Sequence, residues 1–238
     1  DCATAVWSPN GVWLAFARNA HDKDDGIYIQ RADGSGQPKL VWRTESLEVG
    51  IFPMDWLPDS SGVIFTKFTG SKGEPFLVRL SADGTPSQPE RLRSSNTVTN
   101  EFRISPDGKL VLMGTEDSGQ YGLYVAEFSD GRIVGRPVPI EGTTNGGGVQ
   151  WAADSKRFYF SQERGKVMTS TIERQPLLHA STPTFAFDLK ALKLDPQMFD
   201  ILPDGRLVGV QLGLGEDESG RSAALILNWL DSVRPKLK

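Results

Sequence analysis

The chain has 238 residues and a net charge of −4, and 24% of its residues are charged. Lysine and arginine residues are spread along the sequence without forming a basic cluster, so we expect no nucleic-acid partner. The longest apolar runs have about ten residues, which is too few to span a bilayer. The single cysteine, Cys2, can form no disulfide within the chain and cannot build a thiolate metal site.

Five copies of a short motif recur along the chain. Each copy has a bulky apolar residue followed by turn-forming residues, as in Val6-Trp7-Ser8-Pro9-Asn10-Gly11 and Arg103-Ile104-Ser105-Pro106-Asp107-Gly108. The bulky residues are spaced by 49, 48, 47 and 50 residues and are Trp7, Trp56, Ile104, Trp151 and Ile201. A period of this length, repeated five times, is typical of β-propeller blades.

Each repeat predicts four strands. The strand that carries the bulky residue ends in the turn, where Pro presets φ and Asp or Asn with Gly closes the reversal. Second strands are predicted at 13–17, 63–68, 110–114, 158–161 and 207–211, and third strands at 27–30, 76–80, 123–128, 167–172 and 223–229. The sequence therefore predicts an all-β fold in one domain, 1–238, with four-stranded propeller blades starting near residues 3, 51, 99, 146 and 196.

We expect the bulky residue of each innermost strand to fill the wedge between neighbouring blades. The first repeat begins on its innermost strand, and the fifth has no predicted outer strand. An open ring would leave strand edges unpaired. We therefore expect an N-terminal part of the parent protein to precede this chain and to complete a ring of six or more blades.

The repeat resembles that of TolB-type propellers, also found in the propeller domains of prolyl-oligopeptidase-like peptidases. Trp7-Ser8-Pro9-Asn10-Gly11 and Ile27-Tyr28-Ile29-Gln30-Arg31-Ala32-Asp33-Gly34 carry this resemblance. The C-terminal third, with Lys166-Val167-Met168 and Leu227-Asn228-Trp229-Leu230, is similar to the C-terminal propeller region of bacterial membrane-anchored serine/threonine kinases and related proteins. The resemblance implies a periplasmic or extracellular propeller.

No catalytic set is recognisable in the sequence. It contains no Gly-x-Ser-x-Gly elbow and two histidines, His21 and His179, each in a predicted loop. An acidic loop with Asp22, Asp24 and Asp25 offers oxygen ligands for Ca²⁺, but its spacing is not that of an EF-hand. These three residues are the metal candidates, and no other cofactor is expected.

The variable loops of a propeller emerge on one side of the blades, and function on rigid scaffolds concentrates in such loops. Here this long-loop face is predicted to comprise the segments 19–25, 69–74, 116–120 and 213–221, together with 45–50, 96–101, 143–148 and 194–197. The candidate ligand-binding residues on this face are Glu48, Asn100, Glu101, Asn145 and Asp195.

Three functions stay open at this point. The sequence favours a non-catalytic recognition or scaffold module that binds a protein, peptide or cell-envelope ligand through the long-loop face. An alternative is an accessory propeller of a multidomain enzyme, as a kinase sensor region or a peptidase gate. A third is a cation-assisted propeller hydrolase such as a lactonase. The sequence leaves the ligand and the oligomeric state open.

Overall fold

A computed structural model describes residues 2–20, 22–44, 49–70, 72–92, 99–117, 120–163, 165–202, 204–211 and 222–226. Over these residues the fold is built from antiparallel strands and turns, without a helix. No helix capable of crossing a membrane occurs in this part of the chain. The chain divides into two compact units, Asp1–Pro137 and Val138–Lys238.

The first unit holds three four-stranded blades. Blade 1 consists of β1 (Cys2–Trp7), β2 (Trp13–Arg18), β3 (Gly26–Arg31) and β4 (Lys39–Arg43). Blade 2 consists of β5 (Val49–Trp56), β6 (Gly62–Thr69), β7 (Lys72–Arg79) and β8 (Glu90–Arg91). Blade 3 consists of β9 (Thr99–Ile104), β10 (Leu110–Asp117), β11 (Gln120–Ser129) and β12 (Arg132–Pro139), whose last residues cross into the second unit.

The second unit holds blades 4 and 5. Blade 4 consists of β13 (Gly147–Trp151), β14 (Arg157–Gln162), β15 (Lys166–Glu173), β16 (His179–Ala180) and β17 (Thr184–Asp188). The described strands of blade 5 are β18 (Leu194–Ile201), β19 (Leu207–Gln211) and β20 (Ser222–Ile226). The predicted four-stranded blade is thus confirmed in blades 1, 2 and 3, and the five inner strands begin within two residues of the predicted starts.

Blade 4 departs from the four-strand pattern at its outer edge. Both β16 and β17 pair with β15, β16 near residue 172 and β17 between residues 166 and 169. Ser181 lies between them and holds the outer segment to β15, because its amide donates to the Thr171 carbonyl at 2.8 Å. The outer strand is therefore split into two short segments.

The turns follow the predicted chemistry. In blade 3 the Asp107 carboxylate accepts hydrogen bonds from the Ser105 hydroxyl at 2.6 Å and from the Lys109 amide at 3.1 Å. Gly108 has a φ of 73°, a left-handed conformation that favours glycine. This aspartate is thus occupied in shaping the turn.

The prediction of long loops is wrong for two segments. Segments 69–74 and 116–120 lie largely within extended hairpins, because strand pairing continues to Thr69 with Lys72 and to Asp117 with Gln120. Gly70, with a φ of 60°, allows the tight reversal in blade 2. The long-loop face therefore carries less loop in blades 2 and 3 than the sequence predicts.

The cores of the first unit lie between adjacent blades. Trp56 is 1% exposed and packs with Phe65 against Ala15 and Ile29 of blade 1. Ile104 of blade 3 packs in the same way against Ile64 and other residues of blade 2. The bulky inner residue of a blade therefore faces the blade that precedes it in the chain.

The second unit repeats this arrangement. Ile201 and Leu207 of blade 5 share a core with Val167 and Phe187 of blade 4. Ile201 is 8% exposed, and Phe187 meets Phe199 edge to face with ring centroids 6.4 Å apart. The predicted wedge role thus holds for Ile201 as well.

Trp7 differs from Trp56, Ile104 and Ile201. Its side chain is 63% exposed, so the prediction that it fills a wedge between blades is wrong for the described structure. The corresponding residues Trp56, Ile104 and Ile201 each pack on the blade that comes before theirs in the chain.

We predict that Trp56→Ala lowers the free energy of unfolding by about 3–5 kcal/mol, because it opens a cavity in the core between blades 1 and 2. Trp7→Ala is the matched control and should cost about 0.5 kcal/mol or less in this 238-residue chain, since its side chain is exposed. Urea denaturation of both variants measures the difference. Equal losses would contradict the assignment of Trp56 to the core.

Candidate functional site

Three inner strands lie side by side in the first unit, with β1 beside β5 and β5 beside β9. Side chains join them across the blades. The Trp56 indole Nε1–H donates to the Val6 carbonyl at 3.1 Å, and the Asn19 amide Nδ2–H donates to the Ile51 carbonyl at 3.1 Å. The first bond holds β1 to β5, and the second holds the residue that follows β2 to β5.

Asp55 joins blades 2 and 3. Its carboxylate accepts the backbone N–H of Trp56 at 2.8 Å and that of Ile104 at 2.7 Å. Ile104 lies on β9, the edge strand of its sheet, so this carboxylate supplies an acceptor where a neighbouring strand is lacking. Burial raises the pKa of Asp55 to about 6, against the lowering effect of Arg103 and the two amides.

Arg103 strengthens the same junction. Its guanidinium donates to the Met54 carbonyl on β5 and to the Phe102 carbonyl at 3.2 Å. Its positive charge also favours the ionised form of Asp55. One side chain from blade 3 and one from blade 2 therefore tie the two inner strands together.

A cavity of about 370 Å³ opens beside these contacts. We call it the inner-strand cavity, and its lining residues are Thr4, Ala5, Val6, Phe52, Pro53, Met54, Phe68, Glu101 and Arg103. Phe52 and Phe68 meet edge to face, with ring centroids 5.6 Å apart and an interplanar angle of 74°. The cavity thus has aromatic and aliphatic walls with one carboxylate and one guanidinium.

Tyr121 reinforces the wall near Glu101. Burial, followed by the Glu101 charge, raises the pKa of Tyr121 well above its usual range, so its hydroxyl stays protonated at neutral pH. Its oxygen occupies the space where a Cβ on Gly114 would stand, and Gly114 is paired with Glu101 across β9 and β10. Glycine at position 114 therefore makes room for the tyrosine behind Glu101.

The structure places the five predicted ligand-binding residues in different surroundings. Glu101 lines the inner-strand cavity. Asn100 precedes Glu101 on β9. Asn145 is exposed in a turn with a φ of 59°, and Asp195 is half-buried on β18. Glu48 lies outside the described residues. The role of these five residues in ligand binding stays a prediction. Glu101 is the one that the lining of the cavity supports as a ligand-binding residue.

Sequence reasoning missed the apolar part of the cavity. Phe68 stands near the end of β6, where the sequence shows an ordinary strand residue. Phe52, Met54 and Arg103 lie on inner strands, where the repeat predicts packing and not a cavity. A weak signal was available, because Arg103 is a long cationic residue between the buried Phe102 and Ile104.

The predicted metal candidates are paired with arginines. Arg18 contacts Asp22 at 2.5 Å and Asp25 at 3.4 Å, and Arg43 contacts Asp24 at 3.3 Å. The Arg18 hydrogen bond holds the pKa of Asp22 well below its usual range. No cluster of three metal-ligating side chains occurs among the described residues. A cation at this loop would have to displace guanidinium groups.

Neither protein-family models nor curated proteins give a match to this sequence. Solved structures do resemble it in fold. TolB from Acinetobacter baumannii is 20% identical over 94% of this chain and 49% of its own length, with a TM-score of 0.59. A gluconolactonase from Xanthomonas campestris is 12% identical over 95% of this chain and 76% of its own, with a TM-score of 0.57.

A third similar structure is a puromycin-hydrolyzing peptidase from Mycobacterium tuberculosis. It is 12% identical over 94% of this chain and 38% of its own length, with a TM-score of 0.56. Likeness at these identities establishes the fold. The chain has the propeller fold of TolB. It spans about half the length of the TolB chain.

We predict a pH dependence of stability that comes from Asp55. Its folded pKa of about 6 lies above its ordinary value of 3.8, so the folded state binds the proton more tightly. The protonated Asp55 carboxyl therefore adds at most about 3 kcal/mol to the free energy of unfolding. This stabilisation is fully present below about pH 4 and is lost as the pH rises through about 6. Urea denaturation between these pH values measures it.

Asp55→Asn should remove this pH dependence and also weaken the junction, since an amide offers one acceptor oxygen to two N–H donors. Asp59→Asn is the control, because Asp59 lies in an exposed turn and its pKa is lowered by the Ser61 hydroxyl and amide. An unchanged slope around pH 6 in Asp55→Asn would rule out Asp55 as its source.

Proposed function

We propose that this chain is a non-catalytic recognition module that binds a protein or peptide segment in the inner-strand cavity. The observation that supports this most is the combination of the Phe52–Phe68 pair with Glu101 and Arg103 around one opening. A ligand offering an apolar side chain beside charged or polar groups matches such a lining.

The volume of the cavity is consistent with a bound side chain of the ligand. A cavity of about 370 Å³ is near the lower end of the range for small-ligand sites, about 300–1,000 Å³. Aromatic anchors in pockets supply much of the affinity in protein interfaces. Glu101 adds a negative charge to this lining, so we expect a ligand with a positive charge near its apolar anchor.

The accessory role in a multidomain enzyme is the second candidate. The peptidase of Mycobacterium tuberculosis matches this chain over 38% of its own length, so that protein contains much sequence outside the similar region. This likeness is one of fold.

Within the same proposal, the resemblance of the repeat to TolB-type propellers favours a periplasmic or extracellular location.

We predict that the cavity selects peptides with an aromatic or aliphatic anchor next to Lys or Arg. A displayed library of random peptides, enriched on the immobilised chain, gives candidate sequences for titration calorimetry. Phe68→Ala should weaken the binding of an enriched peptide by about tenfold or more, since it removes one wall of the cavity. Glu101→Gln should weaken basic peptides selectively.

Val134→Ala is the matched control, because Val134 is an apolar residue, 49% exposed, on the outer strand β12. Enriched peptides that bind equally well to wild type, Phe68→Ala and Glu101→Gln would contradict the proposal. Selection of no peptide at all would favour the accessory or hydrolase alternatives.

We also predict that Ca²⁺ leaves the melting temperature of the chain unchanged. Arg18 and Arg43 already neutralise the carboxylates of Asp22, Asp24 and Asp25, so a cation gains little there. Thermal melts with and without Ca²⁺ test this. A Ca²⁺-dependent rise that is lost in an Asp24→Asn, Asp25→Asn double variant would instead favour the cation-assisted hydrolase.

A further inference from the structure

An exposed leucine marks the link between the third and outer strands of blade 4. Leu177 is 77% exposed, the highest fraction among the exposed large apolar side chains of the described residues. In the first three blades the corresponding link begins with a polar Asp-Gly turn, at residues 33, 83 and 130. Blade 4 has Arg174-Gln175-Pro176-Leu177-Leu178 instead, which we call the Leu177 loop. The repeat therefore does not account for a leucine here.

Strand pairing holds both ends of the Leu177 loop. Glu173 of β15 pairs with His179 of β16, so the five residues between them form the tip of a hairpin. His179 Nδ1 lies 3.0 Å from the Leu177 carbonyl oxygen, and His179 Nε2 lies 3.8 Å from the Glu173 carboxylate. Pro176, with its fixed φ, further limits the backbone of the tip. Leu177 is thus presented to solvent at a defined position of the hairpin.

The Leu177 loop has the chemistry inferred for the ligand of the inner-strand cavity. That ligand combines an apolar anchor with a nearby positive charge. Leu177 is such an anchor, and the exposed Arg174 lies three residues before it. In the cavity, Glu101 carries the charge opposite to that of Arg174.

The rest of the cavity lining also suits this loop. Phe52 and Phe68 form an aromatic wall against which a leucine side chain can pack. Arg103 donates to the carbonyls of Met54 and Phe102, and the backbone of a hairpin tip offers acceptors of the same kind. The apolar and polar parts of the loop therefore both have counterparts in the cavity.

We propose that the Leu177 loop of one copy of this chain binds in the inner-strand cavity of a second copy, with Leu177 against Phe52 and Phe68. This inference rests on the proposed function, because it names an occupant of the same cavity. The loop and the cavity are different surfaces, so the contact is heterologous and each copy can use both. Association should therefore continue beyond a dimer, into rings or open chains of copies.

Sedimentation velocity over a wide range of protein concentration measures this self-association. Leu177→Ser and Phe68→Ala should each raise the dissociation constant at least about tenfold, since one removes the anchor and the other removes a wall of the cavity. Val134→Ser is the matched control, because Val134 is also an exposed apolar residue and lies on β12, away from the loop. The control variant should associate as the wild type does.

Mixing the two defective variants gives a sharper test. Leu177→Ser keeps an intact cavity, and Phe68→Ala keeps an intact loop. Together they should form a one-to-one complex that grows no further, because each has lost the surface needed for the next contact. No complex in the mixture would contradict the proposal. Self-association that survives in either variant alone would also contradict it.

Peptide binding separates this inference from the proposed function. Leu177→Ser should bind a library-enriched peptide as tightly as the wild type does, which also shows that its cavity is folded. A wild type that stays monomeric while its cavity binds such peptides would overturn the self-association and leave the proposed function standing. A wild type that neither self-associates nor binds any peptide would contradict both.

Discussion

The stacking of one sheet face on the next is the constraint on which the described blades depend. At the contact between blades 1 and 2, the face of blade 2 with the bulky inner residue packs on a face of blade 1 with small or branched side chains. Trp56 against Ala15 and Ile29 is the best-defined example. The inner strands add a polar requirement, because they lie at sheet edges and their N–H groups need acceptors. Asp55 supplies one of these acceptors to Ile104.

The inner-strand cavity follows from the same contacts. The bonds of Asp55 and Arg103 hold β5 and β9 together, and a gap remains where Phe52 and Phe68 meet edge to face. Charges around the cavity therefore divide by role. Asp55 serves the junction between blades, Arg103 both serves the junction and lines the cavity, and Glu101 lines the cavity.

The sequence predicts the blades well because the repeat is local chemistry. Turn residues such as Asp107 and Gly108 act within a few positions, and alternating apolar residues mark the strands. The cavity could not be predicted, because Phe68 and Glu101 come together through the packing of two blades. The extended hairpin at Gly70 was missed for a related reason, since its polar residues read as a loop until strand pairing is known. Trp7 shows that equivalent positions of the repeat can differ in burial.

Amide hydrogen exchange at Ile104 tests most directly whether a side chain from one blade stabilises the inner edge of the next. NMR measurement above pH 7, where Asp55 is ionised, isolates this bond. The account predicts that the Ile104 amide is protected in the wild type and loses protection in Asp55→Ala, while the Val111 amide on the adjacent strand stays protected. Rapid exchange at Ile104 in the wild type, or equal protection in both proteins, would contradict it.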